Sequence, residues 1–335
     1  MSGFSLTLAT DVPPLLEIED LRIRFGAHEA VQGVSFTVHE GETLALVGES
    51  GSGKSLTALS AMTLLPDTAC VAGRLRFAGR DIAGLTLAQQ RALRGGEIGM
   101  IFQEPMTSLN PVMTIGAQIV ETIRQHEKLS AKAARTRALE LIDLVRIPVP
   151  QRRFHDYPHQ LSGGMRQRVM IAMAVACRPR LLIADEPTTA LDVTIQAQVL
   201  ELIDSLRREL AMAVLLITHD LGVVGQWADR VVVMYAGRTV EAGDPAELFA
   251  RPLHPYTRGL LGAAPRIDGH NHYTSGPLAE IPGSIASALG QTGCSFAPRC
   301  AHAEAGCRAE IPPLRALGEG RTVACRLAHA DGTLT

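Results

Sequence analysis

The chain has 335 residues, of which 46% are hydrophobic and 4% aromatic, so it can build two domains around mainly aliphatic cores. Its formal net charge of −2 gives no electrostatic case for a nucleic-acid partner. Residues 1–14 contain no basic residue, which argues against a secretory signal, and no apolar run approaches the ~18 residues needed to cross a bilayer.

The first elements of the chain are strands. Leu15 to Phe25 alternates apolar and polar residues, which predicts an edge strand, and Ala30 to His39 predicts a second strand of the same kind. Thr43 to Val47 is apolar enough to be a buried strand. Phe25 is able to stack on a base, but by position alone an exposed or core phenylalanine is the simpler interpretation.

The segment Gly48 to Ser55 matches the phosphate-binding pattern G-x-x-x-x-G-K-[ST] at every required position. It follows a strand and precedes the helix-forming residues Leu56 to Leu65, which is the setting that this motif requires. The glycines let backbone N–H groups surround phosphate oxygens at a helix N-terminus. Lys54 is expected to reach the β- and γ-phosphates and Ser55 to ligate Mg²⁺. The spacing disfavours a dinucleotide-binding fold.

A strand, a short helix and a further strand follow. They are predicted at Gly73 to Phe77, Leu85 to Leu93 and Glu97 to Phe102. Gln103 directly follows the last of these strands. Such a glutamine is usually only a polar chain end, but in a protein with a phosphate loop it is a candidate for sensing Mg²⁺ or the attacking water.

Residues from about 106 to 165 show helical periodicity, which predicts a small helical insertion with helices at Ile115 to Gln125 and Ala131 to Val145. The next segment, Leu161 to Gln167, opens a helix with Ser162 as a candidate N-cap and with Gly163 and Gly164 behind it. Read alone, this segment is a cap or a linker. Its glycines would also allow close approach of a second phosphate.

The run Leu181 to Ala184 predicts a fully buried strand of a parallel sheet, followed directly by Asp185 and Glu186. Carboxylates at that end of a strand lie where α/β sheets bind ligands. Asp185 is a candidate for holding Mg²⁺ through water and Glu186 for the general base. After a helix at residues 194–210, the strand Val214 to Thr218 ends at His219, at the same edge. A hairpin follows at residues 230–241.

From residue 251 the composition changes to a Gly/Pro/Ser-rich tail that carries four cysteines: Cys294, Cys300, Cys307 and Cys325. Their spacing lacks the short hooks of zinc sites. A [4Fe–4S] cluster tolerates varied spacing, and by spacing alone a cluster and four unligated thiols are both open. Cys70 and Cys177 lie in apolar settings and are predicted to be core residues.

Together these residues resemble the nucleotide-binding subunit of ABC transporters, over residues 15 to about 250. Phe25 matches the adenine-stacking aromatic, Gln103 the Q-loop glutamine, and His219 the switch histidine. Leu181 to Glu186 resembles Walker B. The resemblance implies an α/β P-loop NTPase (RecA-like) domain with an antiparallel β subdomain, the helical insertion, and a small irregular C-terminal extension at 251–335, after an N-terminal extension at 1–14. It implies these ATP-contacting residues: Phe25, Gly48, Ser50, Gly51, Gly53, Lys54, Ser55, Leu161, Ser162, Gly163, Gly164, Gln167 and Asp192. It implies Mg²⁺ on Ser55, Gln103 and Asp185.

The resemblance also implies partners. Two ATPase subunits would pair head to tail, so that ATP on one phosphate loop is capped by the signature sequence, Leu161 to Gln167, of the other. The catalytic residues would be Glu186, His219 and Gln103. Two transmembrane permeases would contact residues 104–110 and the helix at Ile115, which places the chain peripherally on the cytoplasmic face of the bacterial inner membrane.

The tail resembles the C-terminal extension of dipeptide/oligopeptide ABC importers, through His254-Pro-Tyr-Thr and the segment from Cys294 to Cys300 with its two later cysteines. That branch implies peptide cargo, an extracytoplasmic binding protein as an indirect partner, and an iron–sulfur cluster on the four cysteines. Nickel chelates, glutathione or another small solute are alternative cargoes. More distant alternatives are a soluble ABC ATPase acting on nucleic acid and a non-enzymatic iron–sulfur module.

Overall fold

The computed structural model describes residues 13–103, 108–189, 191–263, 280–288, 290–318 and 320–334. The strands in these ranges are β1 Leu16–Phe25, β2 His28–Val38, β3 Thr43–Val47, β4 Ala69–Phe77, β5 Arg80–Asp81, β6 Ile98–Ile101, β7 Leu181–Asp185, β8 Ala213–Thr218, β9 Arg230–Tyr235, β10 Arg238–Gly243, β11 Arg315–Ala316 and β12 Thr322–Val323.

The α-helices in the same ranges are α1 Lys54–Ala61, α2 Leu87–Leu93, α3 Ile115–His126, α4 Ala131–Leu144, α5 Pro150–Arg153, α6 Gly163–Ala174, α7 Val193–Leu210, α8 Leu221–Trp227, α9 Pro245–Ala250, α10 Pro255–Ala263 and α11 Ala305–Ala309. Short 3₁₀ turns occupy Pro158–Gln160, Ile285–Ala288 and Ala297–Arg299. The predicted strands and helices are present, with ends shifted by a few residues.

The larger sheet has the order β11-β12-β10-β9-β3-β8-β7-β6. Its part from β9 to β6 is parallel, whereas β10 and β12 run antiparallel to their neighbours. Strands β3, β7 and β8 are buried along their whole length, as expected for apolar strands covered on both faces. Because these strands are parallel, their carboxyl ends share one edge. The α/β architecture predicted from the sequence is confirmed.

A second, antiparallel sheet has the order β2-β1-β4-β5. The prediction that Leu15 to Phe25 is an edge strand is wrong, because β1 pairs with β2 on one side and with β4 on the other. Alternation reports only that one face of a strand is buried. On the other face of β1, ion pairs connect it to β4, from Arg74 to Glu19 at 2.7 Å and from Arg76 to Glu17 at 3.3 Å.

The predicted helical insertion forms a small bundle of α3 and α4 against α6. Thr114 caps α3 and Ser130 caps α4, each by accepting a hydrogen bond from the third backbone N–H that follows. Buried residues such as Ile119 and Ile142 join the bundle to one core with β7 and β8. This part of the chain therefore packs against one face of the larger sheet, at β7 and β8. None of the helices in the described ranges is long and apolar enough to traverse a bilayer.

The C-terminal residues pack onto the larger sheet, since β12 pairs with β10 and adds the extension's own strands to it. An aromatic cluster of Tyr235, Tyr256 and Phe296 joins the two parts, with ring centroids 4.7 to 5.5 Å apart. The expectation that Cys70 is a core residue is wrong, because it is exposed on the outer side of β4. Cys177 is half-buried, and burial raises the pKa of its thiol to about 11.

Candidate active site

The phosphate loop, residues 48–53, joins β3 to α1. Gly48 has a φ of +154°, and a Cβ built on it would lie 2.2 Å from the carbonyl oxygen of Met234. Gly53 precedes α1 with a φ of +99° and provides no side-chain cap. The loop therefore requires glycine at both ends, and the first backbone N–H groups of α1 remain available to an anion.

Lys54 lies inside the loop, with only 4% of the residue exposed. Its ammonium donates hydrogen bonds to the carbonyl oxygens of Gly48 at 2.7 Å and Glu49 at 2.9 Å. Burial lowers the pKa of Lys54, while the nearby carboxylates of Glu186 and Asp185 oppose this effect. The ammonium is thus held among loop carbonyls at the position where a phosphate would meet it.

Ser55 and Asp185 meet at the base of the loop, where the Ser55 hydroxyl donates a hydrogen bond to Asp185 Oδ1 at 3.1 Å. Asp185 is the last residue of β7 and is 6% exposed. Burial raises the pKa of its carboxyl, the hydrogen bond from Ser55 lowers it, and the charge of Glu186 raises it again. A hydroxyl and a carboxylate side by side are oxygen ligands of the kind that Mg²⁺ prefers, so these residues fit the predicted metal.

Glu186 follows Asp185 with a φ of +45°, an uncommon backbone conformation for a residue with a side chain. Its carboxylate accepts hydrogen bonds from the Gln103 amide at 3.0 Å and the Thr189 hydroxyl at 2.8 Å. His219 Nδ1 lies 3.5 Å from the other carboxylate oxygen. The predicted base, Q-loop glutamine and switch histidine are therefore brought together, although they lie on three different strand ends.

The signature segment lies at the start of α6. Ser162 caps the helix by accepting a hydrogen bond from the backbone N–H of Met165 at 3.3 Å. Ser162 and Gly163 are exposed, whereas Leu161 and Gln167 are buried within this chain, at 4% and 2% exposure. The exposed start of the predicted signature therefore presents a surface to another molecule, whereas Gly164, Met165 and Arg166 are half-buried.

Two other predicted ATP contacts lie at ends of elements. Phe25 ends β1 and is half-buried against the core between the two sheets. Asp192 is exposed and caps α7 by accepting a hydrogen bond from the backbone N–H of Ile195 at 2.9 Å. Ala190, two positions before Asp192, lies outside the described residues, as do positions 104–107 of the predicted permease contact.

Sequence reasoning missed three residues that support the site. Thr189 helps to orient Glu186, and its position three residues later in the loop was the available signal. Tyr256 accepts a hydrogen bond from the backbone N–H of Glu49 at 2.8 Å, and Arg299 forms an ion pair with the Glu49 carboxylate. Tyr256 and Arg299 come from the C-terminal extension, and no local pattern indicates that they reach the phosphate loop.

The four cysteines of the extension line one small apolar cavity. Burial raises the pKa of the Cys294, Cys300 and Cys325 thiols, and neighbouring backbone N–H groups, among them those of Phe296, His302 and Leu327, oppose the rise.

No group of three or more His, Cys, Asp or Glu side chains among the described residues is arranged to hold a single metal ion. The four thiols nevertheless line one cavity.

Known proteins match this chain along most of its length. A family model described as ABC transporter matches residues 31–189, and one described as the C-terminal region of oligopeptide/dipeptide transporters matches residues 240–307. A putative peptide import ATP-binding protein of Brucella abortus is 50% identical over 326 residues, which cover 96% of this chain and 97% of that protein. The oligopeptide transport ATP-binding protein OppD of Salmonella typhimurium is 48% identical over 316 residues, or 93% of each chain.

Among solved structures, the ATP-binding cassette MJ0796 has a similar fold. Its dimeric structure in a post-hydrolysis state, bound to ADP and Pi, aligns with a TM-score of 0.61 and 26% identity. The alignment covers 69% of this chain and 98% of that one. The likeness supports the assignment of the α/β part of this chain as a nucleotide-binding domain.

Proposed function

This chain belongs to the ATP-binding subunits of ABC transporters, and we propose that it hydrolyses ATP to drive the import of peptides. The observation that carries the proposal is the juxtaposition of the Ser55–Asp185 hydrogen bond with a Glu186 carboxylate oriented by Gln103. Relatives named for peptide import and oligopeptide transport cover this chain almost end to end, including its extension.

In hydrolysis, Lys54 binds oxygens of the β- and γ-phosphates from its place among the loop carbonyls, while backbone N–H groups of the loop and α1 surround the phosphate chain. Ser55 and Asp185 would hold Mg²⁺, with Gln103 as a further ligand, and the bound ion would neutralise phosphate charge. Glu186 orients the attacking water and accepts its proton. His219 is placed to contact the γ-phosphate from the end of β8.

The complete site requires a second ATPase subunit, identical or related. The N-terminus of α6 presents Ser162 and Gly163 on the surface of the chain, and both are exposed. A head-to-tail pair would bring these residues to the γ-phosphate on the partner's loop. Asp192 is also exposed, and the preceding residue, Leu191, lies close to Gly163. The related cassette MJ0796 is a dimer in its solved structure, which supports such a pair.

An apolar groove beside Gln103 is the proposed docking surface for a permease helix. Its lining includes Met100, Phe102, Leu109, Met170 and Met173. Phe102 precedes Gln103 and is 41% exposed, which is unusual for so large an apolar side chain. A permease seated in this groove would contact Phe102, whose neighbour Gln103 donates a hydrogen bond to the Glu186 carboxylate. Permease movement and hydrolysis would therefore be coupled.

The four cysteines, Cys294, Cys300, Cys307 and Cys325, are proposed to bind a [4Fe–4S] cluster. Their common apolar cavity supports this proposal. Binding of one cluster by these cysteines would hold α11 and the 3₁₀ turn Ala297–Arg299 together. The cluster would stabilise the extension without taking part in ATP chemistry.

The assembled importer tests the function directly. We expect the chain to copurify with two permeases and a second ATPase subunit at the cytoplasmic face of the bacterial inner membrane. In proteoliposomes, ATP hydrolysis should rise with the extracytoplasmic binding protein and a peptide, and uptake should stop in the Lys54→Ala variant.

Two controls separate the alternatives. Uptake of a nickel chelate or glutathione in place of dipeptides and longer peptides would change the cargo but not the ATPase role. Phe102→Ser should weaken assembly with the permeases, whereas Leu87→Ser, at a 72% exposed position on α2 outside the groove lining, should not. A chain that hydrolyses ATP only with nucleic acid would overturn the proposed function.

A further inference from the structure

Arg299, in the extension, forms a two-pronged ion pair with Glu49 of the phosphate loop. Its two terminal nitrogens donate to the two carboxylate oxygens of Glu49, at 2.7 Å and 3.1 Å. The side chain of Arg299 is 4% exposed and that of Glu49 is 28% exposed. This fork-to-fork geometry, between partners 250 positions apart in sequence, restrains Glu49 in orientation as well as in position.

The guanidinium is itself held from the other side. Its Nε donates to the carbonyl oxygen of Pro282 at 2.8 Å, and a terminal nitrogen donates to the carbonyl oxygen of Ile281 at 3.2 Å. Its other terminal nitrogen lies 3.4 Å from the hydroxyl of Tyr235. Because all three nitrogens have partners, the fork cannot rotate without breaking bonds, and lysine could not reproduce the arrangement.

Two further contacts from the extension reach the same part of the loop. The backbone N–H of Glu49 donates to the Tyr256 hydroxyl at 2.8 Å. A Cβ built on Gly51 would lie 3.7 Å from a methyl group of Ile285. The Glu49 carbonyl in turn accepts a hydrogen bond from the Lys54 ammonium at 2.9 Å. Displacement of Glu49 would therefore change the position of the lysine that meets the phosphates.

We infer that Arg299 is a positioning residue for ATP binding, which acts by holding Glu49 and, through the Glu49 backbone, Lys54. The inference rests on the proposed function of the phosphate loop. Arg299 ends the 3₁₀ turn that precedes Cys300, a lining residue of the cysteine cavity. The cavity and the phosphate loop are therefore joined through one short segment, in which Arg299 makes the contact to the loop.

The test compares two buried arginines in the full-length chain. Arg299→Gln removes the loop contact. Arg321→Gln is the matched control, because Arg321 is 6% exposed and pairs with the buried Glu241 on β10 at 3.0 Å. Both variants weaken the packing of the extension, but only Arg299 touches the loop. We expect Arg299→Gln to raise the dissociation constant for ATP about tenfold or more and to raise KM with little change in kcat. Arg321→Gln should lower Tm and leave ATP affinity unchanged.

A double-mutant cycle with Glu49→Gln identifies the contact. Each single variant should weaken ATP binding, and the double variant should bind no more weakly than the worse single one. Arg299→Lys, which keeps the charge but not the fork, should recover part of the affinity and serves if Arg299→Gln does not fold.

Wild-type affinity in Arg299→Gln, or equal losses in Arg299→Gln and Arg321→Gln, would overturn the inference alone. A wild-type chain that does not bind ATP would overturn the proposed function with it.

Discussion

The Gln103 side-chain amide donates a hydrogen bond at 3.0 Å to the carboxylate of Glu186, 83 positions later in sequence. The Thr189 hydroxyl donates to the same oxygen at 2.8 Å, which leaves the other oxygen toward His219. The contact joins the end of β6 to the end of β7. A movement of the residues that line the groove beside Gln103 would therefore change the orientation of the Glu186 carboxylate directly.

Replacing Glu186 by Gln is expected to lower ATP hydrolysis by about 10²- to 10⁴-fold, because the amide cannot accept a proton from water. ATP binding should persist, and the variant should accumulate as a closed pair with ATP bound. Phosphate release and retained nucleotide are the measurements. Glu201→Gln, at an exposed position on α7, is the control. Hydrolysis at the wild-type rate by Glu186→Gln would contradict the role of Glu186 as base.

Two helix-capping serines allow the signature to be tested at equal structural cost. Ser162 caps α6 and Ser130 caps α4, with hydroxyl-to-nitrogen distances of 3.3 Å and 3.2 Å. Each change to Ala should cost about 1 kcal/mol of unfolding free energy. Only Ser162→Ala should also slow ATP turnover by the paired enzyme, while the isolated chain binds ATP normally. Equal turnover in the two variants would argue against a role of Ser162 at the partner's site.

Phe25 is predicted to stack on adenine. Phe25→Ala should raise KM for ATP roughly tenfold to a hundredfold, the effect expected when one base loses its aromatic platform. Phe25→Tyr should keep the wild-type KM because the ring is retained. Since Phe25 also packs on the core between the sheets, the Tm of each variant is measured in parallel. A lower Tm with unchanged KM in Phe25→Ala would reduce Phe25 to a packing role.

Anaerobic purification should yield a chain that contains iron and acid-labile sulfide in equal amounts, at about four of each. Cys300→Ser should lose both, because it removes a thiol from the shared cavity. Cys70→Ser, at the exposed position on β4, should keep both. A folded wild-type extension without iron would exclude the cluster and leave four unligated thiols.

Alkylation separates the two remaining cysteines. Burial raises the pKa of Cys177 to about 11, so at pH 8 only about one Cys177 thiol in a thousand is ionised and reactive. Cys70 is exposed and should react first with iodoacetamide in the native protein. Mass spectrometry of labelled peptides gives the order. Rapid labelling of Cys177 without denaturant would contradict this order.

The candidate site could be predicted closely because its signals are local. A glycine loop between a strand and a helix, and carboxylates after an apolar strand, need only neighbouring residues to be recognised. The position of β1 could not be predicted in this way, since β4, its second partner, begins more than forty residues later. Alternation along β1 reports a buried face and says nothing of how many neighbours the strand has.

The sequence by itself determined the phosphate loop, the strand-end residues Asp185, Glu186 and His219, and the α/β order of the elements. Each depends on residue types at fixed short spacings, which the backbone converts into geometry locally. Only the tertiary structure decided that Thr189 and Gln103 donate to the same oxygen of Glu186 and that Arg299 forms an ion pair with Glu49. Those contacts depend on how the sheet and extension pack, and packing brings together residues that carry no mutual signal along the chain.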